Sequence, residues 1–143
     1  MLANKRLLLK TLSARSAFFF CSIPSDKDLP MSKYHEISDH FLESLCEQFE
    51  AIDQSEIDDV ILSQGVLRID LADEKSTYII NKQSPNKQIW LSSPMSGPYR
   101  FDLDLESNKW VGKGEDCILD LLSKELSEWT GEEVQFVYEN DLL

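Results

Sequence analysis

Apolar side chains recur at Tyr34, Ile37, Phe41, Leu45, Phe49 and Ile52, in steps of three and four that line up on one stripe of a helix. Ser32, just ahead of them, has the short side-chain oxygen that suits a helix N-cap. A second stripe, Ile118, Leu121, Leu122, Leu126 and Trp129, follows Gly114-Glu115-Asp116 and stops at Gly131, a natural C-terminal stop. Between the two stripes the period changes to two. Turn residues punctuate that stretch at Gln64-Gly65, Asp73-Glu74, Pro85-Asn86, Ser96-Gly97-Pro98 and Ser107-Asn108, so the segments between them read as strands that pair antiparallel.

The alternation assigns faces. Leu67, Ile69 and Leu71 point inward with Arg68 and Asp70 outward; Ile89 and Leu91 inward with Gln88 and Trp90 outward; Tyr99, Phe101 and Leu103 inward with Arg100 and Asp102 outward. One sheet face is apolar and each helix has one apolar stripe. The arrangement that buries all three is a two-layer α+β sandwich, with both helices packed on one face of an antiparallel sheet. The other sheet face is left to solvent or to a partner.

Composition adds a division of charge. The 143 residues carry 26 acids and 14 bases, a formal net charge of −12, and are 42% apolar, which describes one ordinary globular domain. That charge disfavours nucleic acid and anionic membrane as partners. No stretch approaches the roughly 18 apolar residues of a membrane span. Cys21, Cys46 and Cys117 form no Cys-x-x-Cys pair, which disfavours zinc ribbons and thiolate-held clusters. Residues 1–25 hold Lys5, Arg6, Lys10 and Arg15 and no acid, whereas the rest has ten bases against all 26 acids. Such a leader reads as a mitochondrial transit peptide. A secretory signal with Ala17 to Ile23 as its apolar core is the competing reading, but the bases recur through Arg15 instead of stopping before that run. The expected organisation is a transit peptide over 1–25, a flexible junction over 26–32 and one folded domain over 33–143.

No phosphate-cradling loop, His-Glu-x-x-His or nucleophile motif is present. The informative feature is the first helix. Between Lys33 and Arg68 there is no Lys or Arg but there are nine acids, and Glu36, Asp39, Glu43, Glu47 and Glu50 fall within a stripe roughly 80° wide opposite the apolar one. Like charges three and four residues apart cost about 0.2 to 0.5 kcal/mol per pair, so the ridge forgoes stability. A solvated face that keeps the protein soluble is one reading; the lack of interleaved lysines counts against it. Carboxylates and water suit Mg²⁺, Ca²⁺, Mn²⁺ and iron, and His40 beside Glu36 and Glu43 offers a nitrogen, or simply a surface salt-bridge partner. Ligands on one convex helix cannot enclose an ion, so a bound cation should stay hydrated, weakly held and exchangeable.

The second informative segment runs from Asn81 to Pro94. Its plain reading is a hairpin turn at Ser84-Pro85-Asn86-Lys87 with strand on either side. Period two nevertheless places Trp90 on the open face with Gln88 and, from the next strand, Arg100, and Trp with Arg on an uncovered sheet are interface types.

The run Tyr78-Ile79-Ile80-Asn81-Lys82-Gln83, Pro85 through Pro94, then Ser96-Gly97-Pro98 and Arg100-Phe101-Asp102, closely resembles the frataxin family. The resemblance extends over about residues 33–138 and takes in the acidic first helix, Gly65-Val66-Leu67, Trp110 and the Leu-rich second helix. It implies an α-β sandwich in the mitochondrial matrix that binds iron (Fe²⁺, Fe³⁺) weakly. It also implies a role in iron-sulfur cluster assembly at the cysteine desulfurase and scaffold complex. Carried onto this chain, it makes Asp39, Glu43, Glu47, Glu50, Asp58 and Asp59 candidate iron or basic-partner ligands, beside Glu36 and His40. Asn81, Gln83, Asn86, Gln88, Trp90 and Arg100 become candidate contacts to the assembly complex. His40 and Ala51 stand where family members can carry an acid. A ferroxidase that oxidises Fe²⁺ with O₂ and assembles into iron-loaded oligomers is the alternative the resemblance also implies; a monomeric regulator is preferred because no enclosed two-metal site is evident.

Overall fold

The computed structural model describes residues 29–114 and 116–143; the transit-peptide reading of 1–25 lies outside them. Helix α1 spans Met31–Glu50. Pro30, not Ser32, occupies the N-cap: its φ is −57°, no side chain caps the helix, and its carbonyl accepts the Tyr34 N–H at 3.0 Å. Proline's fixed φ and missing N–H make it compatible with a helix start, so the helix begins one residue ahead of Ser32. Leu29 is already buried. The apolar stripe is buried as expected through Phe49, joined by Ser38 and Leu42. Ile52 falls beyond the helix end at Ala51 and packs on the core only in part.

Six strands follow: β1 (Ile57–Ser63), β2 (Val66–Leu71), β3 (Thr77–Gln83), β4 (Gln88–Ser93), β5 (Gly97–Asp104) and β6 (Lys109–Val111), with α2 (Ile118–Thr130) last. Each strand pairs antiparallel with the next in one sheet ordered β1 to β6. The β1–β2 turn uses Gln64 and Gly65 with φ of 50° and 75°, the left-handed pair that a two-residue hairpin requires. A side chain at Gly65 would also bring its Cβ within 2.9 Å of Lys82 Cε.

Both helices lie on one face of the sheet, as the pattern predicts. Leu67, Ile69, Leu71, Ile89, Leu91, Phe101 and Leu103 are buried, together with Tyr78, Ile80 and Trp110. Tyr99 is half-buried and stacks on Phe101 with ring centroids 6.0 Å apart. On α2 the stripe is Ile118, Leu122 and Leu126, with Leu121 and Trp129 only half-buried and Glu125 turned into the core. Gly131 ends the helix at φ 74°. Beyond it, an irregular segment without periodicity packs along α1 and α2. Phe136 is buried 4.7 Å from the Phe49 ring, Gln48 exchanges hydrogen bonds with the Val137 backbone at 2.7 and 2.9 Å, and the Ser123 and Ser127 hydroxyls accept the Phe136 and Val134 N–H groups. Those side-chain partners replace the ladder that an irregular backbone lacks.

Candidate functional site

Two surfaces carry the candidate residues. On α1, Glu36, Asp39, Glu43, Glu47 and Glu50 are all exposed along one face. The ridge is less uniform than the sequence implies, because cations reach it from outside its own run of residues. Lys33 Nζ pairs with Glu36 at 3.0 Å, and Lys82 Nζ, from β3, pairs with Asp39 at 2.5 Å. Glu43, Glu47 and Glu50 keep the unpaired character expected of them among the described ion pairs. Cys46 lies beside Glu50, its Sγ 3.8 Å from Oε1; burial first, then that carboxylate, pushes the thiol pKa up, so it is a poor thiolate ligand.

His40 is exposed, and its Nδ1 lies 3.2 Å from the Tyr138 hydroxyl with the rings tilted at 52°. It therefore leans on the C-terminal segment rather than forming the surface salt bridge weighed for it. Burial, then Asp141, raises the Tyr138 phenol to about 12, so it stays protonated beside His40. Asp58 and Asp59 are exposed, but Asp59 pairs with Asp70 while Val60 and Leu62 turn inward, so Asp59 shares the open sheet face and not the helix ridge. Among the described residues no three His, Cys, Asp or Glu side chains converge to hold a metal ion. The ridge offers oxygen donors in a row, which suits a hydrated cation and not a caged one.

The second surface is the uncovered face of β3, β4 and β5. The ladder sets Asn81 opposite Trp90 and Trp90 opposite Arg100, so the three form one row across the sheet. The Arg100 guanidinium sits 4.6 Å above the Trp90 ring, a cation-π stack. Beneath it a chain of hydrogen bonds orients the indole: Trp90 Nε1 donates to Gln88 Oε1 at 3.0 Å, and Gln88 Nε2 donates to Asp102 at 2.8 Å. Tyr34, buried in α1, donates its hydroxyl to the Gln88 carbonyl at 2.8 Å and so ties the start of β4 to the helix layer.

Asn81, Asn86, Gln88, Trp90 and Arg100 line one open groove. Gln83 sits across the ladder from Gln88 and outside that lining. Asp102, Lys113 and Asp116 line the groove as well. Alternation already placed Asp102 outward, whereas Lys113 and Asp116 sit in the β6–α2 connection, whose path no periodic signal predicts. The groove thus combines an aromatic ring, amides and charges of both signs.

A family model described as a Frataxin-like domain matches residues 27–132. The chain belongs to the frataxin family. Among its relatives, the mitochondrial frataxin homolog of Saccharomyces cerevisiae is 42% identical over 71% of this chain, and that of Drosophila melanogaster 37% identical over 80%. The chain spans 59% and 64% of the length of those two frataxins. Among solved structures it is similar to trimeric yeast frataxin complexed with ferrous ion, with a TM-score of 0.56 at 42% identity, covering 70% of this chain and 87% of that one. This frataxin-family chain is mitochondrial, as its relatives are. Among the described residues no helix is long and apolar enough to cross a membrane.

Proposed function

We propose that this chain is an accessory of iron-sulfur cluster assembly in the mitochondrial matrix, docking through its open sheet face on the cysteine desulfurase and scaffold complex. The observation that carries the reading is the Trp90–Arg100 stack, an aromatic anchor held in place on a face that the fold leaves uncovered. Folding alone gives no reason to orient an indole there through Gln88 and Asp102. Preorganised aromatic and Arg pairs are the anchors around which protein interfaces are built.

Iron is the cargo in this reading, held loosely by the exposed carboxylates of α1, foremost Glu43, Glu47 and Glu50. The ferrous complex of trimeric yeast frataxin supports it. Titration of the protein with Fe²⁺, followed by dialysis, tests whether the ion is weakly held and exchangeable. Oxygen consumption per iron at sub-stoichiometric Fe²⁺ separates this accessory role from a ferroxidase: stoichiometric uptake of O₂ would favour the oxidase. Binding of the Trp90→Ala variant to the desulfurase and scaffold complex tests the docking face, and wild-type affinity in that variant would overturn it.

Residues 1–25 are proposed as the import presequence, removed before the protein acts. Amino-terminal sequencing of protein purified from mitochondria is expected to start near residue 26, and an intact Met1 or Leu2 would contradict it.

A further inference from the structure

Glu125 is the only charged side chain buried among the described residues, with 5% of its surface exposed. An acid in a core is costly unless donors surround it. Here three hydroxyls do. Glu125 Oε2 accepts from Tyr78 at 2.7 Å and from Ser93 at 2.6 Å, and Oε1 accepts from Ser96. Ser93 Oγ in turn accepts the Met95 and Ser96 N–H groups at 3.0 and 3.1 Å. A hydroxyl has one hydrogen and two lone pairs, so Ser93 is fully committed: its hydrogen to α2, its lone pairs to the turn between β4 and β5.

That turn needs an outside reference. Pro94 and Pro98 lack an N–H, and Gly97, at φ 97°, has open space where a Cβ would stand. The observed ladder runs Ser93–Gly97, Ser92–Pro98, Leu91–Tyr99 and Trp90–Arg100. A slip of one residue would expose the core face of β5 and is excluded by the hydrophobic pattern. A slip of two residues is not excluded that way. It keeps every side chain on its face and keeps a three-residue turn, yet sets Trp90 opposite Pro98 or Asp102 instead of Arg100. In the observed register Ser93, at the end of β4, and Ser96, in the turn leading to β5, meet the Glu125 carboxylate together.

We propose that Glu125 is a positioning residue for the open sheet face, its carboxylate selecting the β4–β5 register that opposes Arg100 to Trp90. The consequence for partner binding rests on the docking role proposed above. Burial, then Glu125 itself, holds the Tyr78 phenol well above its ordinary pKa, so this donor to Glu125 persists at any physiological pH. With Tyr34 holding the Gln88 carbonyl, β4 is tied to the helix layer at both ends.

The test uses Glu125→Gln in the full chain, which keeps the side chain's size but replaces one acceptor oxygen with a donor. The Trp90 indole N–H resonance reports the stack directly, and affinity for the desulfurase and scaffold complex reports its use. Glu125→Gln is expected to shift or split the Trp90 resonance and to weaken binding about tenfold at a temperature where the variant is fully folded, as lost preorganisation does. Ile118→Val on the same helix should lower the melting temperature and change neither readout. If Glu125→Gln does the same, lowering the melting temperature alone, the proposal is wrong. Should Glu125→Gln not fold, Ser96→Ala removes one donor from an exposed residue and must still move the indole signal; an unmoved signal overturns the proposal. The resonance needs no partner, so a shifted indole in a protein whose wild type does not bind the complex would sink the docking role while leaving the register role standing.

Discussion

Lys82 on β3 reaches Asp39 on α1, Nζ to Oδ1 at 2.5 Å, and so neutralises one step of the acidic ridge from the sheet layer. The lysine side chain is 15% exposed and the aspartate 51%. His35 Nδ1 lies 3.3 Å from the same ammonium. Removing the carboxylate would leave a largely covered cation with that imidazole as its remaining polar neighbour.

The ridge acids therefore divide by their effect on stability. Glu43→Gln with Glu47→Gln removes three like-charge pairs and is expected to stabilise the fold by about 0.6 to 1.5 kcal/mol. Asp39→Asn is expected to give no such gain, because losing the Lys82 pair, about 0.2 to 1 kcal/mol, offsets the relief of its two like-charge pairs with Glu36 and Glu43. Urea unfolding of the two variants checks this, and a stabilised Asp39→Asn would show that the Lys82 pair contributes nothing. Both variants should bind Fe²⁺ more weakly by titration if the ridge is the cation surface.

Trp90→Ala should leave the melting temperature near wild type, because the indole lies on the open face, between Asn81 and Arg100 in the row, and not in the core. A buried Trp→Ala costs about 3 to 5 kcal/mol, and an interface anchor about 2 kcal/mol or more of binding. Arg100→Ala should follow it in binding. A domain that unfolds on losing Trp90 would contradict the face assignment.

Phe136 makes the opposite case. It is 3% exposed and packs on Phe49, so Phe136→Ala is expected to cost about 3 to 5 kcal/mol. A midpoint unchanged in urea would mean that the C-terminal segment does not seal the helices in solution.

Stability should plateau between acid and alkali, with a distinct cause at each edge. Thr77, then Arg68, holds the Asp70 carboxyl below the usual carboxylate range, and Ser107 does so for Asp104. Such groups contribute stability that is complete above the unfolded value near about 4 and is lost as pH falls through the lower folded values. Burial raises the Tyr34 and Tyr138 phenols from 10.0 to about 12. Their contribution is complete below pH 10, and it is lost as pH rises toward about 12 because the unfolded chain ionises first. Urea midpoints measured from pH 3 to 12 test both edges, and a midpoint that stays flat above pH 10 would refute the burial of these tyrosines.

Much of this architecture is local and periodic, which is why it is legible in the chain. Spacings of three and four put Tyr34 through Phe49 on one helical stripe, and alternation puts Ile89 and Leu91 in the core and Trp90 and Arg100 outside it, because backbone geometry alone dictates where those side chains point. The same geometry makes a row of Glu36 to Glu50. What periodicity does not encode is contact between distant segments. Lys82 meeting Asp39, Gln48 holding the Val137 backbone and Glu125 gathering Tyr78, Ser93 and Ser96 join residues 29 to 89 positions apart. Nothing in the Leu-rich stripe of α2 marks Glu125 as buried; only tertiary packing against β3, the end of β4 and the turn after it supplies the three hydroxyls that let a carboxylate remain there.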